Sequence, residues 1–112
     1  MLINKTKNFV IAEQHKSCKT WLSRLRGLMF SKPQTLVFVF DREARVALHM
    51  WFVFFPIDLA FLDSNFRVVE VKRNFKPFTT YVSSSEAKYL IETPAGNLNN
   101  TEVGDEIALV GS

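Results

Sequence analysis

The twelve residues from Val46 to Ile57 carry no charge, and the acid that ends the run, Asp58, is followed at once by Leu59-Ala60-Phe61-Leu62. A strand with apolar residues at both parities is covered on both faces. This stretch therefore demands protein above and below it, and it places one carboxylate inside those layers. A carboxylate so enclosed needs a charged partner or several hydrogen-bond donors; otherwise it takes up a proton. The run is too short for a membrane-spanning helix, which needs about 20 residues, and a central Asp opposes insertion.

The interior has ample material. Eleven of the 112 residues are Phe, against two Trp and two Tyr, and each fully buried apolar side chain is worth about 1.5–3 kcal/mol. The length suits a single domain over residues 1–112. Apolar types at 47% and charged types at 22% exclude a disordered, collagenous or coiled-coil chain. The opening Met1-Leu2-Ile3-Asn4-Lys5 lacks the apolar segment of a signal peptide, and Cys18 has no second Cys for a disulfide or zinc site. A lone thiol suits a reducing compartment, so a soluble cytoplasmic protein without membrane association is expected. Net charge runs from +6 over residues 1–32, through +1 over 33–85, to −4 over 86–112. The basic front could contact nucleic acid, or the two ends could lie together and neutralise each other. A total of +3 is weak for a phosphate binder and favours the second arrangement.

Asn8 to Glu13 reads as a first strand. Trp21, Leu22, Leu25, Leu28 and Met29 recur at helical spacing, which predicts a short N-terminal helix over Thr20–Phe30, ended by Pro33, with Gly27 an odd choice inside it. The period then changes to two. Thr35–Phe40 is a strand, Asp41-Arg42-Glu43 a charged turn, and Arg45–Phe55 one long or two short strands, with a break at Pro56. Ile57–Leu62 and Phe66–Lys72 form a hairpin about Asp63-Ser64-Asn65, and Asn74–Ser85 reads as an ordered loop. Lys88–Thr93 and Glu106–Val110 are the closing strands, with turns at Pro94-Ala95-Gly96 and Gly104-Asp105. Gly96 and Gly104 suit positive φ, which only Gly adopts cheaply. The fold expected is mostly β: a small antiparallel β-barrel or sandwich with one short helix.

Several stretches in this order resemble one family. They are Gly27-Leu28-Met29-Phe30, His49-Met50-Trp51-Phe52-Val53-Phe54-Phe55-Pro56-Ile57-Asp58, Phe61-Leu62-Asp63, and Ile91-Glu92-Thr93-Pro94-Ala95-Gly96 followed by Gly104-Asp105. Together they are similar to the uncharacterised family called domain of unknown function 192, in its short archaeal form, over nearly the whole chain. The resemblance implies a compact β-rich fold and no established activity. Many bacterial members carry a Trp-Met-Lys-Asn-Thr type of segment where this chain has Phe52 to Phe55, so a ligand held by those polar groups would not carry over.

Four residues are candidates for binding a ligand: Arg26, His49, Asp58 and Glu92. Asp58 is either an acid/base or ligand anchor, or a buried buttress that accepts backbone N–H groups beside Pro56 or pairs with Arg26. His49 lies in the apolar stretch, where a core or rim role competes with metal binding, and His15 is the one other imidazole. Glu92 could face Asp58 or Arg26 across a barrel if its alternate strand face points inward. Cys18 precedes the expected helix and follows His15, but no orienting or oxyanion signature accompanies it. No phosphate-binding glycine loop occurs, and no metal or cofactor is implied. No complete catalytic constellation assembles. The reading preferred is a non-catalytic module binding a small ligand or peptide; an enzyme using a carboxylate acid/base on a small polar substrate is the alternative. A single-strand nucleic-acid binder is a weaker third, with Arg42, Arg45, Lys72 and Arg73 along the backbone.

Overall fold

Among the described residues eight strands account for the secondary structure, and no helix occurs. The structure, a computed structural model, describes residues 1–18, 34–49 and 55–110. Strands β1 (Leu2–Asn4), β2 (Phe9–Ala12) and β8 (Ile107–Leu109) form one sheet in the order β2-β1-β8. Strands β3 (Lys16–Cys18), β4 (Leu36–His49), β5 (Ile57–Leu62), β6 (Val68–Phe75) and β7 (Thr80–Pro94) form the other, in the order β3-β4-β7-β5-β6. All pairings are antiparallel except β3 with β4, which is parallel. The mostly β expectation stands. Among the described residues no closed barrel forms, because both sheets keep free ends to their strand order. The helix expected at Thr20–Phe30, with Gly27 in it, falls outside the described residues.

The uncharged middle is buried on both sides for a visible reason. Along β5 every residue is buried, and alternate side chains enter different cores. Ile57, Leu59 and Phe61 join Leu36, Phe38, Val46, Phe75, Ala87 and Leu90 on one face of the large sheet. Ala60 and Leu62 join Val37, Val68 and Ile91 on the other, where Leu2, Ile11, Leu98 and Ile107 of the small sheet and its flanks pack against them.

The first of these cores is enclosed because the β4–β7 ribbon bends back over β5 and β6. Two irregularities make the bend. Residues 40–43 of β4 are inserted between the pairs Val39↔Tyr89 and Ala44↔Ala87, and residues 83–85 of β7 between Arg45↔Glu86 and Ala47↔Val82. Side chains satisfy backbone groups that the ladder abandons there. Val46 N–H donates to Ser83 Oγ at 2.8 Å, Arg45 Nε donates to the Ser83 carbonyl at 3.0 Å, and Lys88 Nζ donates to the Phe40 carbonyl. Glu70 of β6 then accepts the Ser84 and Ser85 amides and the Tyr81 hydroxyl, tying the bent half of β7 to β6. That acceptor raises the Tyr81 phenol to about 12. The Asp41-Arg42-Glu43 turn is thus a bulge inside one continuous strand, and the loop expected over Asn74–Ser85 is strand from Thr80 onward. Insertions of this kind erase the period-two pattern by which a strand is read from sequence.

Candidate functional site

Asp58 begins the geometry. It is 3% exposed. Its Oδ1 accepts the Asn74 amide and its Oδ2 the Gly96 amide, each at 2.9 Å. Both donors belong to residues at positive φ, 52° for Asn74 and 98° for Gly96, so the carboxylate holds together the end of β6 and the turn after β7. Arg73 Nη1 lies 4.0 Å from Oδ2, in the place considered for Arg26. Pro56 precedes β5, and its carbonyl accepts the Ala95 amide at 3.2 Å. Each Asp58 oxygen is committed to a backbone donor, as in an anchoring carboxylate.

Glu92 behaves differently. It sits opposite Leu59 on one side and Leu36 on the other, whereas Asp58 sits opposite Thr93. Neighbouring ladder positions point to opposite faces, so Glu92 enters the enclosed core and Asp58 the opposite face, and the two cannot share a pocket. Glu92 is 6% exposed. Burial pushes its carboxyl up to about 8, so it holds its proton at neutral pH. The His49 backbone pairs with Thr80 in the other half of the ribbon, and Arg26 lies outside the described residues. Of the four candidates, the structure therefore separates Asp58 from Glu92.

A second polar centre forms at the opposite end of β6. Asp105, 3% exposed, accepts Lys7 Nζ at 2.7 Å, Asn4 Nδ2 at 2.9 Å and the Glu102 amide at 3.0 Å through Oδ2. Burial alone would raise its carboxyl; the bonds from Lys7, Asn4 and Glu102 outweigh burial and hold it below the usual value. Asn4, fully buried, also donates to Thr101 Oγ1 at 2.9 Å and accepts the Lys7 amide. Gly104, at φ 97°, donates to the Val68 carbonyl at 2.8 Å and brings this turn onto β6. The network is saturated and its role is tertiary. It also brings basic Lys5 and Lys7 against acidic Glu106, Glu102 and Asp105, so these parts of the basic front and acidic back neutralise each other.

The feature that sequence reading missed is a groove of about 700 Å³, lined by Val10 to Lys16, Gln34, Thr35, Pro94 and Asn97. Its wall is β2 and the segment that carries the chain from the small sheet to β3. Beneath it, the lining residue Thr35 shares a hydroxyl–hydroxyl bond of 2.8 Å with the buried Thr93, and the Lys16 amide donates to the Thr35 carbonyl at 3.0 Å. His15 Nδ1 is buried and is the one such side-chain nitrogen or oxygen without a hydrogen bond among the described residues. Burial and, next, the Met1 ammonium lower the His15 pKa, which favours the neutral ring. A neutral imidazole offers one donor and one acceptor. The groove joins residues up to 87 positions apart, from Val10 to Asn97, and nothing local in the sequence signals it beyond His15 itself. Among the described residues, no group of three or more His, Cys, Asp or Glu could hold a metal, and no helix is long and apolar enough to cross a membrane.

Comparison with known proteins bears on the whole chain. Residues 3–109 match the family described as DUF192, "Uncharacterized ACR". A "UPF0127 protein" of Thermococcus sibiricus is 44% identical over 113 residues, covering 96% of this chain and 73% of that protein. Another, of Pyrococcus horikoshii, is 38% identical over 112 residues and covers 96% of each. A crystal structure of a protein of unknown function from Novosphingobium aromaticivorans has the same fold, with a TM-score of 0.78 at 18% identity over 85% of this chain and 74% of that one.

Proposed function

The chain belongs to the DUF192 family, and from that premise we propose that it is a non-catalytic binding module whose groove beside β2 takes a small ligand or a peptide. One observation carries the reading: the wall of a sizeable groove contains a neutral imidazole with a buried nitrogen that has no hydrogen bond among the described residues. Buried polar atoms in native folds are almost always satisfied, and an orphan beside a cleft is what a bound group would complete. The rest of the groove supports the same use, since Gln14, Gln34, Thr35 and Asn97 offer donors and acceptors without a net charge. The two carboxylates that a hydrolytic pair would need face different cores. We place the protein in the cytoplasm because its one Cys suits a reducing compartment, and we keep a short helix over Thr20–Phe30 on the strength of its apolar spacing.

Native mass spectrometry of the protein purified from cells, followed by amide NMR on release of whatever co-purifies, tests this. The expected result is shift changes confined to Val10–Lys16, Gln34, Thr35 and Asn97. Changes centred on β5 and Glu92 would refute it. That outcome would favour an enzyme that uses Glu92 as a general acid, since a carboxyl held near 8 by burial is what such a role requires.

A further inference from the structure

Resting on the binding-module reading, we propose that the ligand is an extended peptide, added as a further strand along the outer edge of β2. A sheet edge exposes a row of unpaired N–H and C=O groups, which folded proteins guard with charges, with prolines or by covering. The four edges here differ in that respect. β6 carries Lys72 and Arg73, and at Val68 its amide donates to the Asp105 carbonyl while its carbonyl accepts Gly104 N–H, each at 2.8 Å. β8 is covered where Ile107 N–H donates to the Phe66 carbonyl at 2.9 Å and Arg67 bridges to Glu106. β3 is three residues long and begins with Lys16. β2, Phe-Val-Ile-Ala, has no charge and no Pro, and among the described residues no strand pairs with its outer side.

The groove lies against this edge, the one left unguarded among the described residues. It follows Val10 to Ala12 of β2 and continues without a gap along the bend and connecting segment Glu13 to His15, a course along the main chain that matches a peptide better than a compact small molecule. The chemistry fits a neutral main chain. Glu13 and Lys16 oppose each other in charge, and the amide side chains of Gln14, Gln34 and Asn97 pair naturally with peptide groups. Val10, 44% exposed, gives an alternating apolar side chain something to pack on. This is recognition by strand addition, in which main-chain hydrogen bonds supply affinity and alternate side chains supply preference.

The test uses the whole chain and three Lys-flanked, end-blocked peptides built on Thr-Val-Thr-Val-Thr-Val. One is unmodified, one is N-methylated at the three Thr, and one at the three Val. In strand addition, the amides of one alternate set face β2 and those of the other set face away. The unmodified peptide should bind and slow hydrogen exchange at Phe9–Glu13. One methylated peptide should bind within about twofold of it, and the other should weaken tenfold or more, since it forfeits every main-chain donor bond. Equal binding by all three would overturn strand addition while leaving the groove a binding site through its side chains. No binding of the unmodified peptide at millimolar concentration would also overturn it, and the NMR mapping described above would then decide the broader reading separately.

Discussion

Glu92→Gln should stabilise the protein at neutral pH and leave its stability near pH 4 unchanged. In the folded chain the Glu92 carboxyl, enclosed between Leu36 and Leu59, titrates at about 8, against 4.5 in the unfolded chain. Between those values the folded state holds a proton that the unfolded state releases, so unfolding becomes easier as pH rises. The loss begins near pH 4.5 and is complete above pH 8. At pH 7 it covers two and a half pH units at about 1.4 kcal/mol each, or about 3 kcal/mol. Gln keeps the shape and cannot ionise, so the variant escapes that loss. At pH 4 both side chains are neutral and polar in the same apolar setting, and the difference should vanish. Urea melts of both proteins from pH 4 to 8.5 measure this directly. The gap should open from zero to about 3 kcal/mol by pH 7, which for a chain of this size is about 10 °C in Tm. Parallel curves, or a variant less stable at pH 7, would refute the reasoning, for they would mean that Glu92 is ionised and held by a cation.

Asp58→Ala takes from the Asn74 and Gly96 amides, both on exposed residues, their shared buried acceptor and should cost about 1–3 kcal/mol in urea; an unmoved midpoint would show that these bonds contribute nothing. Asp105 has a depressed folded value, so its stabilisation is present above the unfolded value of 3.8 and is lost as pH falls through the lower folded one. Asp105→Asn should therefore be less stable at pH 6, and it should lose less on acidification below pH 4 in a thermal melt series. Gly96→Ala meets no atom within 4 Å of the new Cβ, yet it places an L-residue at φ 98°. It should cost about 1–2 kcal/mol from backbone strain alone, and a neutral substitution would show that the turn can relax.

Much of the strand pattern can be read locally. Ile57–Leu62 is a strand in the sequence and in the structure, with the Asp63-Ser64-Asn65 turn after it. Its apolar residues at both parities already require two cores, and two cores are present. The pieces that cannot be read are those where the ladder is irregular or short. The 40–43 insertion disguises one strand as two with a turn between them, the 83–85 insertion disguises half of β7 as a loop, and β1 and β3 are too short to show a period.

The candidate site divides along the same line. That Asp58 is buried follows from its neighbours in the chain, because a hydrated carboxylate there would pull large rings into water. Which donors satisfy it, and that Glu92 one rung away faces a different core, depend on strand register, which links residues 58, 74 and 96 through tertiary pairing. The groove depends still more on assembly, since it exists where the outer edge of one sheet meets the start of another. Alternation and local composition are properties of adjacent residues and survive in any fold. Register, edge exposure and the orphaned His15 nitrogen belong to segments brought together from distant parts of the chain, and packing alone decides them.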